Sequence, residues 1–408
     1  MKILFVSQHY RPEPFRLSDI CEDLVERGHE VTVLTGIPNY PEGKTYANYR
    51  NNKNRRETIE GVTVFRSYTI PRGKSTLHRI LNYFSFAISS SIGVLLGQYK
   101  AKDGSEFDCV FVNQSSPVMM AWAGMAYKNK YKKPLFLYCM DVWPDSLTVG
   151  GVKQDGLVFK LFKFISKKVY RASDYIFVTS PSFKNHFVNQ FDITEQKITY
   201  LPQYAEDLFI PDESIVNKES VDLTFAGNIG KAQNLETILK AASLIEKNTD
   251  LPKKIHFHFV GDGTELLSMK TLAHELELKN VSFYGRRSLE EMPTFYKKSD
   301  AMLVSLIGDS IVSRTIPGKV QSYMAAGKPI IGAISGDTKT IVEEANCGYV
   351  SSEQDVEQLA QNICEFSMLS IEEQKELGKQ ARSYYEKHFS KEQFMTQLEK
   401  YLREEFSS

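Results

Sequence analysis

Short apolar runs rich in β-branched residues alternate with helical segments from residue 3 onward, and near residue 221 the same alternation starts again. The runs fall at residues 3–7, 30–34, 62–65, 109–112, 135–140 and 175–178, then at 221–226, 255–260, 281–284, 301–306 and 329–332. Strands that are apolar on both faces and separated by helices form parallel sheets covered on both sides. The chain thus predicts an α/β fold of two doubly wound domains, residues 1–203 and 204–381, with a charged helical run, residues 382–408, packing back on the first. The acidic stretch 202–220, with Pro202 and Pro211, reads as the connection. Length agrees, because 408 residues exceed the roughly 250–300 at which one core stops growing.

In such proteins a ligand lies outside the carboxyl ends of the strands, and where two sheets face each other it lies in the cleft between them. Residues just after strands are therefore the candidates. Gly227, Asn228, Ile229, Gly230 and Lys231 follow one strand and precede a helix that opens near Gln233. Bare amides, a helix N-terminus and an ammonium suit a phosphate; the same glycines also serve a tight turn with no ligand. A second junction runs through Arg314, Pro317, Gly318, Lys319, Val320 and Ser322 to Gly327, which stops the helix. A cation such as Lys319 in a first helical turn opposes the helix dipole, a penalty that an anionic ligand reverses. Asp141 follows the apolar run 135–140 and begins Asp-Val-Trp-Pro-Asp, fitting either an acid that meets sugar hydroxyls or a turn-forming aspartate. His9 follows the first strand as a further candidate.

Several functions are disfavoured. The chain lacks a GxSxG nucleophile elbow and a GxxxxGK[ST] phosphate loop, and no His/Cys/Asp cluster has metal spacing. His256 and His258 alternate with Phe257 and Phe259 as one face of a strand. Five scattered cysteines, mostly in apolar runs, read as reduced core thiols of a cytosolic protein, and the opening apolar run is too short for a signal core. Zero net charge hides an asymmetry: residues 1–203 carry 27 basic and 18 acidic side chains, so the first half is +9 and the remainder −9. Residues 80–99 are uncharged but diluted by Asn82, Ser85, Ser89, Ser90 and Ser91, which predicts a buried or interfacial helix over a membrane span. Residues 157–171 interleave Lys160, Lys163, Lys167, Lys168 and Arg171 with apolar and aromatic residues, a pattern shared by membrane-surface helices and by solvated domain faces. No nucleic-acid-binding module is recognisable.

Six stretches together resemble the family-four glycosyltransferases of the GT-B fold, and especially the bacterial subgroup that transfers N-acetylfucosamine-type sugars in O-antigen or capsule synthesis. They are KILFVSQHYRPE from Lys2, GHEVTVLTGIPNYPEG from Gly28, DVWPDSL from Asp141, FAGNIGKAQNLETILKA from Phe225, FVGDG from Phe259 and IPGKVQSYMAAGKPIIG from Ile316. The resemblance implies two Rossmann-like domains facing a cleft, and retaining transfer from a UDP-sugar to an undecaprenyl-diphosphate-linked saccharide without a cofactor or metal. It implies a cytoplasmic protein peripherally associated with the inner face of the membrane. By position, Gly227, Asn228, Gly230, Lys231, Gln233, Arg286, Pro317, Gly318, Lys319, Val320 and Ser322 would bind the donor. His9, Tyr10, Arg16 and Trp143 would bind the acceptor, with Asp141, Lys231 and Lys319 catalytic. The family's glutamate pair at the second junction is replaced here by Arg314 and Ser322, and Pro14-Phe15 stands where many relatives have paired glycines. A UDP-sugar epimerase of the same fold and a non-catalytic sugar-nucleotide-binding scaffold are the alternative readings.

Overall fold

The computed structural model describes residues 1–15, 18–73, 75–212, 219–248, 251–308, 311 and 313–404. It comprises two compact units, Met1–Leu201 with Met395–Ser408, and Pro202–Phe394.

The sheet of the first unit is built from β1 (Lys2–Val6), β2 (Glu30–Thr35), β3 (Arg56–Ile59), β4 (Val62–Arg66), β5 (Cys109–Gln114), β6 (Leu135–Cys139), β7 (Tyr175–Val178) and β8 (Ile198–Tyr200), in the order β3-β4-β2-β1-β5-β6-β7-β8. All pairs are parallel except β3 with β4. The central strands are apolar on both faces because helices cover both: Ile3, Leu4, Val6, Val110, Val112 and Leu137 are fully buried, and Phe5 stacks on Phe111 at 5.2 Å.

The edge strand β3 escapes the apolar-run reading because three of its four residues, Arg56, Glu57 and Thr58, are polar, and its Glu57 serves an ion pair. Arg66 is wholly buried; it donates to Glu57 Oε1 through Nε at 2.8 Å and through Nη2 at 2.5 Å, and to the carbonyls of Arg11 and Gly36. Removing one partner of such a pair strands a buried charge. Glu57→Ala is expected to cost about 3–5 kcal/mol, read as a lowered urea midpoint.

The helix Thr76–Leu95 accounts for most of the uncharged stretch, and it turns two of its polar residues inward. Asn82 and Ser90 are buried; Asn82 donates to Ile70 O, while Ser90 and Ser91 donate to Phe86 O and Ala87 O. Leu77, Leu81, Ile88, Ile92 and Leu95 face outward, each more than 40% exposed. The helix Leu157–Ala172 likewise exposes Leu157, Leu161 and Phe164. Both pack against the helix Trp122–Tyr131. Among the described residues no helix is long and apolar enough to cross a membrane.

The second sheet contains β9 (Ser220–Ala226), β10 (Lys254–Val260), β11 (Val281–Gly285), β12 (Ala301–Ser305), β13 (Ile330–Ala333) and β14 (Gly348–Ser351), ordered β11-β10-β9-β12-β13-β14 and parallel throughout. Its core joins Leu223, Phe225, Phe257 and Leu303 to Ile238, Leu239 and Ile363 from the covering helices. His258 bonds Asp222 and Tyr284 within the sheet, 2.9 Å from each.

Two expected boundaries move. The return to the first unit begins at Met395, not residue 382, because the helix Ile371–His388 is one element, capped by Ser370 and Glu373, that packs on the helix Gly318–Ala325; Arg382 itself donates to Ala325 O at 2.6 Å. The connection belongs to the second unit: Tyr204, Ala205 and Phe209 are buried, and Ala205 N donates to Tyr385 Oη at 3.2 Å. Residues 213–218 lie outside the described residues. The last helix, Lys391–Glu404, is anchored to the first unit by Glu399, which meets His29 at 2.9 Å and Arg27 at 3.2 Å. Burial raises the Glu399 carboxyl, but hydrogen bonds from His29, Arg403 and Arg27 outweigh it and hold the carboxyl at about 2.

Candidate functional site

At the carboxyl edge of the second sheet, two loops lock together. Gly227 N donates to Val260 O at 2.9 Å, Gly261 N to Gly285 O at 3.0 Å, and Ile229 N to Asp262 O at 2.9 Å. Gly261 has φ +152°, and a Cβ there would lie 1.8 Å from Gly227 O, so only glycine allows the approach. This closeness explains the pairing of the GNIG and FVGDG stretches.

The helix Gly318–Ala325 is fixed below the end of β9 by the buried Tyr323, whose hydroxyl accepts from Ala226 N at 2.9 Å and donates to Ala226 O at 3.1 Å. That anchor places Lys319 one turn earlier, beside Gly227. Its Nζ lies 3.7 Å from the centroid of the Phe225 ring and donates to Gln233 Oε1 at 2.7 Å. A Cβ at residue 227 would stand 3.2 Å from that nitrogen, so the glycine makes room for the ammonium. Among the described residues Lys319 meets no carboxylate, and burial lowers its ammonium to about 7. Lys319 is thus half-buried.

Gly227, Gln233 and Lys319 therefore converge. Gly227, Asn228 and Lys231 are exposed on the turn, Gly230 is half-buried, and Arg286 is exposed just past β11. Pro317 and Gly318 lead into the helix, partly buried. The side chain of Val320 is buried in the core, leaving only its backbone to a ligand. Ser322 is also buried and donates to Gly318 O at 3.3 Å and Glu206 Oε2 at 3.4 Å. Glu206 brings a carboxylate to this junction from the connecting segment, and nothing in its sequence context signals that.

In the first unit, Asp141 follows β6 and is half-buried. Burial raises its carboxyl to about 6, against the opposing pull of hydrogen bonds from Ser146, Trp143 and Ser116. Trp143 differs from its expected place as an acceptor-binding ring. It is 3% exposed, its indole donates to Ser116 Oγ at 3.0 Å and Asp141 Oδ2 at 3.3 Å, and its ring meets Phe162 edge-on at 5.2 Å. Trp143 supports Asp141 from the interior. Tyr10 is likewise buried, which pushes its phenol up. His9 is buried against Glu13, a residue that the sequence reading missed although the four-residue spacing hints at it. Arg16 lies outside the described residues.

A cavity of about 590 Å³ in the second unit opens at the opposite edge, by the amino ends of β9 and β13, among Lys297, Lys328, Lys375 and Arg382. It does not coincide with these junctions.

Two family models match in tandem, Glycosyltransferase Family 4 over residues 16–203 and Glycosyl transferases group 1 over residues 208–384. The putative colanic acid biosynthesis glycosyl transferase WcaI of Escherichia coli (strain K12) is 27% identical over 354 residues, 80% of this chain and 82% of the relative. The probable glycosyltransferase WbjE of Pseudomonas aeruginosa is 25% identical over 269 residues, 62% of this chain and 65% of the relative. Among solved structures, sucrose-phosphate synthase from Thermosynechococcus elongatus matches with a TM-score of 0.72 at 16% identity, covering 100% of this chain and 99% of that one. Anabaena HepE in complex with UDP and glucose matches with a TM-score of 0.70 at 16% identity, covering 99% of this chain and 100% of that one. The two doubly wound units, the strand-end junctions and the tandem family matches agree: the chain belongs to the GT-B glycosyltransferases, a Glycosyltransferase Family 4 domain followed by a Glycosyl transferases group 1 domain.

Proposed function

We propose that the protein is a retaining glycosyltransferase that moves a sugar, an N-acetylated aminosugar such as N-acetylfucosamine, from a UDP-sugar to an undecaprenyl-diphosphate-linked saccharide in capsule or O-antigen synthesis. The arrangement of Lys319 carries the donor half: a half-buried ammonium faces an aromatic ring, an amide oxygen and a bare glycine, with no counter-charge among the described residues. A diphosphate beside Gly227 supplies that charge, and one that gains negative charge as it departs gains most from it. The UDP held by HepE supports the donor class, and the colanic acid role in WcaI's name supports the polymer class. In this reading Lys319, Lys231 and the helix N-terminus at Gly318 meet the diphosphate without metal or cofactor. A leaving phosphate oxygen takes the acceptor proton, and Asp141 acts at the reacting sugar or the acceptor.

The test is incubation with a panel of UDP-sugars and lipid-linked monosaccharides, with products identified by mass. A new lipid-linked disaccharide supports the reading; free epimerised sugar, or UDP-sugar binding without turnover, overturns it.

A lipid-linked acceptor stays in the bilayer, so the first unit docks on the cytoplasmic leaflet in the same reading. The outward apolar residues of the helices Thr76–Leu95 and Leu157–Ala172 would enter the interface, and Lys160, Lys163 and Lys168 would meet anionic headgroups. Lys167 and Arg171 are engaged by Asp192 and are set aside. Each basic residue at an anionic surface contributes about 1 kcal/mol. Changing Lys160, Lys163 and Lys168 to glutamate is expected to weaken co-sedimentation with anionic vesicles at least roughly a hundredfold. Equal binding to neutral vesicles would remove the electrostatic part.

A further inference from the structure

The cavity of about 590 Å³ in the second unit lies where the chain enters its sheet: Lys253, Asp300 and Lys328 stand at or just before the starts of β10, β12 and β13, the strands that flank β9. The Gly227 and Lys319 junctions are at the other end of β9. That strand is seven residues long, so about 20 Å separates the two edges. The helix Ile371–His388 forms one wall, and glycine brings it close: a Cβ at Gly378 would stand 2.3 Å from Gly327 O. Ile371, Pro211 and Pro329 add apolar surface. The volume is that of a pocket for a small organic molecule, about 300–1,000 Å³.

The charge around this cavity opposes that of its surroundings. Residues 204–408 carry 23 basic and 32 acidic side chains, yet the lining gathers six of the basic and only three of the acidic. All three carboxylates are engaged: Asp212 pairs with Lys297 at 2.8 Å, Glu386 with Arg382 at 2.7 Å, and Asp300 accepts from Asp222 N at 2.8 Å. Lys328 donates to Ser299 O at 2.8 Å. Lys253 and Lys375 are half-buried, Lys379 is exposed, and none of the three meets a carboxylate among the described residues. Lys375, Lys379 and Arg382 also follow one another at four and three residues along the same helix, a spacing at which like charges repel. A multiply charged anion in the cavity reverses that repulsion.

We propose that the cavity is a second anion site, separate from the donor junctions, for an organic molecule carrying two or more phosphate charges. Lys253, Lys375 and Lys379 bind the phosphates, and the apolar walls receive the base or sugar that bears them. An inorganic ion would leave those walls and most of the volume unused. The site is independent of the transferase reading, because none of its residues belongs to the groups assigned to donor or acceptor.

The test is titration calorimetry of the full chain with ATP, with fructose 1,6-bisphosphate and with inorganic triphosphate. The wild type is expected to bind at least one of the two organic phosphates, more tightly than inorganic triphosphate and more weakly as salt rises. Each lost hydrogen bond to a charged group costs at least about tenfold, so Lys375→Gln combined with Lys379→Gln should weaken that binding roughly a hundredfold or more. The melting midpoint of this double variant should hold or rise, since like charges at helical spacing have been removed. Lys253→Gln lies on a different segment and should cost about tenfold by itself, which decides the matter if the double variant folds poorly. Lys319→Met should bind as the wild type does. Failure of both organic phosphates to bind, inorganic triphosphate binding as tightly, unchanged affinity in the glutamine variants, or loss of binding in Lys319→Met would overturn the site. None of these outcomes bears on whether the protein transfers sugar.

Discussion

Asp141→Asn is expected to abolish sugar transfer while making the folded protein more stable at pH 7. Burial lifts the Asp141 carboxyl from 3.8 to about 6. Between those values the unfolded chain has released a proton that the folded chain still holds, so stability falls as pH rises through this window. The full cost, about 3 kcal/mol, is present above pH 6 and absent below pH 4. Asparagine keeps the shape and removes the charge, so the variant should gain up to about 3 kcal/mol at pH 7 and nothing near pH 3.5. Urea melts at the two pH values measure this. UDP affinity should hold, because the residues proposed to bind the donor belong to the other unit. A variant that is more stable, binds UDP and transfers nothing identifies a carboxylate kept for chemistry at the expense of the fold. Intact transfer would leave Asp141 as a turn residue, and a loss of stability at pH 7 would show that its bonds to Ser116 and Trp143 outweigh its burial.

The core was readable in the sequence because its strands are apolar on both faces, as a parallel sheet covered by helices requires. The strands that went unread are β3, β8 and β14, and each lies at a sheet edge. An edge strand pairs on one side only and has no need of a continuous apolar run; Arg56 and Glu57 in β3 illustrate this. The two strand-to-helix junctions proposed to hold the diphosphate were readable too, since glycines and a proline mark such turns. What those side chains touch was not. Pro317 and Gly327 put Lys319 in a first helical turn, and only the anchoring of Tyr323 on Ala226 shows it lying on Phe225. Trp143 looked like a ring offered to a sugar, yet its indole N–H is spent on Ser116 and Asp141. Asn82 and Ser90 looked like dilution of an apolar helix, whereas both face the interior and leave leucine and isoleucine outside. Composition states how many polar residues a helix carries; the fold decides which way they face.

Lys319→Met is expected to weaken UDP-sugar binding ten- to a hundredfold, since a hydrogen bond to a charged group contributes about 1.5–3 kcal/mol. The wild type carries a second signature. Burial lowers the Lys319 ammonium from 10.5 to about 7, so near pH 7 only about half of the free molecules hold the charge. Between 7 and 10.5 the unfolded chain keeps a proton that the folded chain has lost, so Lys319 costs the fold most at neutral pH and less as pH rises. A bound diphosphate favours the ammonium and raises its pKa, so binding must take up a proton. UDP-glucose is the suitable probe, because its diphosphate is a diester without a proton that titrates in this range. Titration calorimetry at pH 7, in two buffers of different ionisation enthalpy, should find about half a proton taken up per sugar nucleotide, and more at pH 8. Affinity should accordingly fall with rising pH above 7, by up to about tenfold per unit. Methionine can lie on the Phe225 ring without a charge, so Lys319→Met should fold at least as well as the wild type, take up no proton and lose the pH dependence. Wild-type affinity in the methionine variant, or binding that moves no proton, would dissociate Lys319 from the diphosphate.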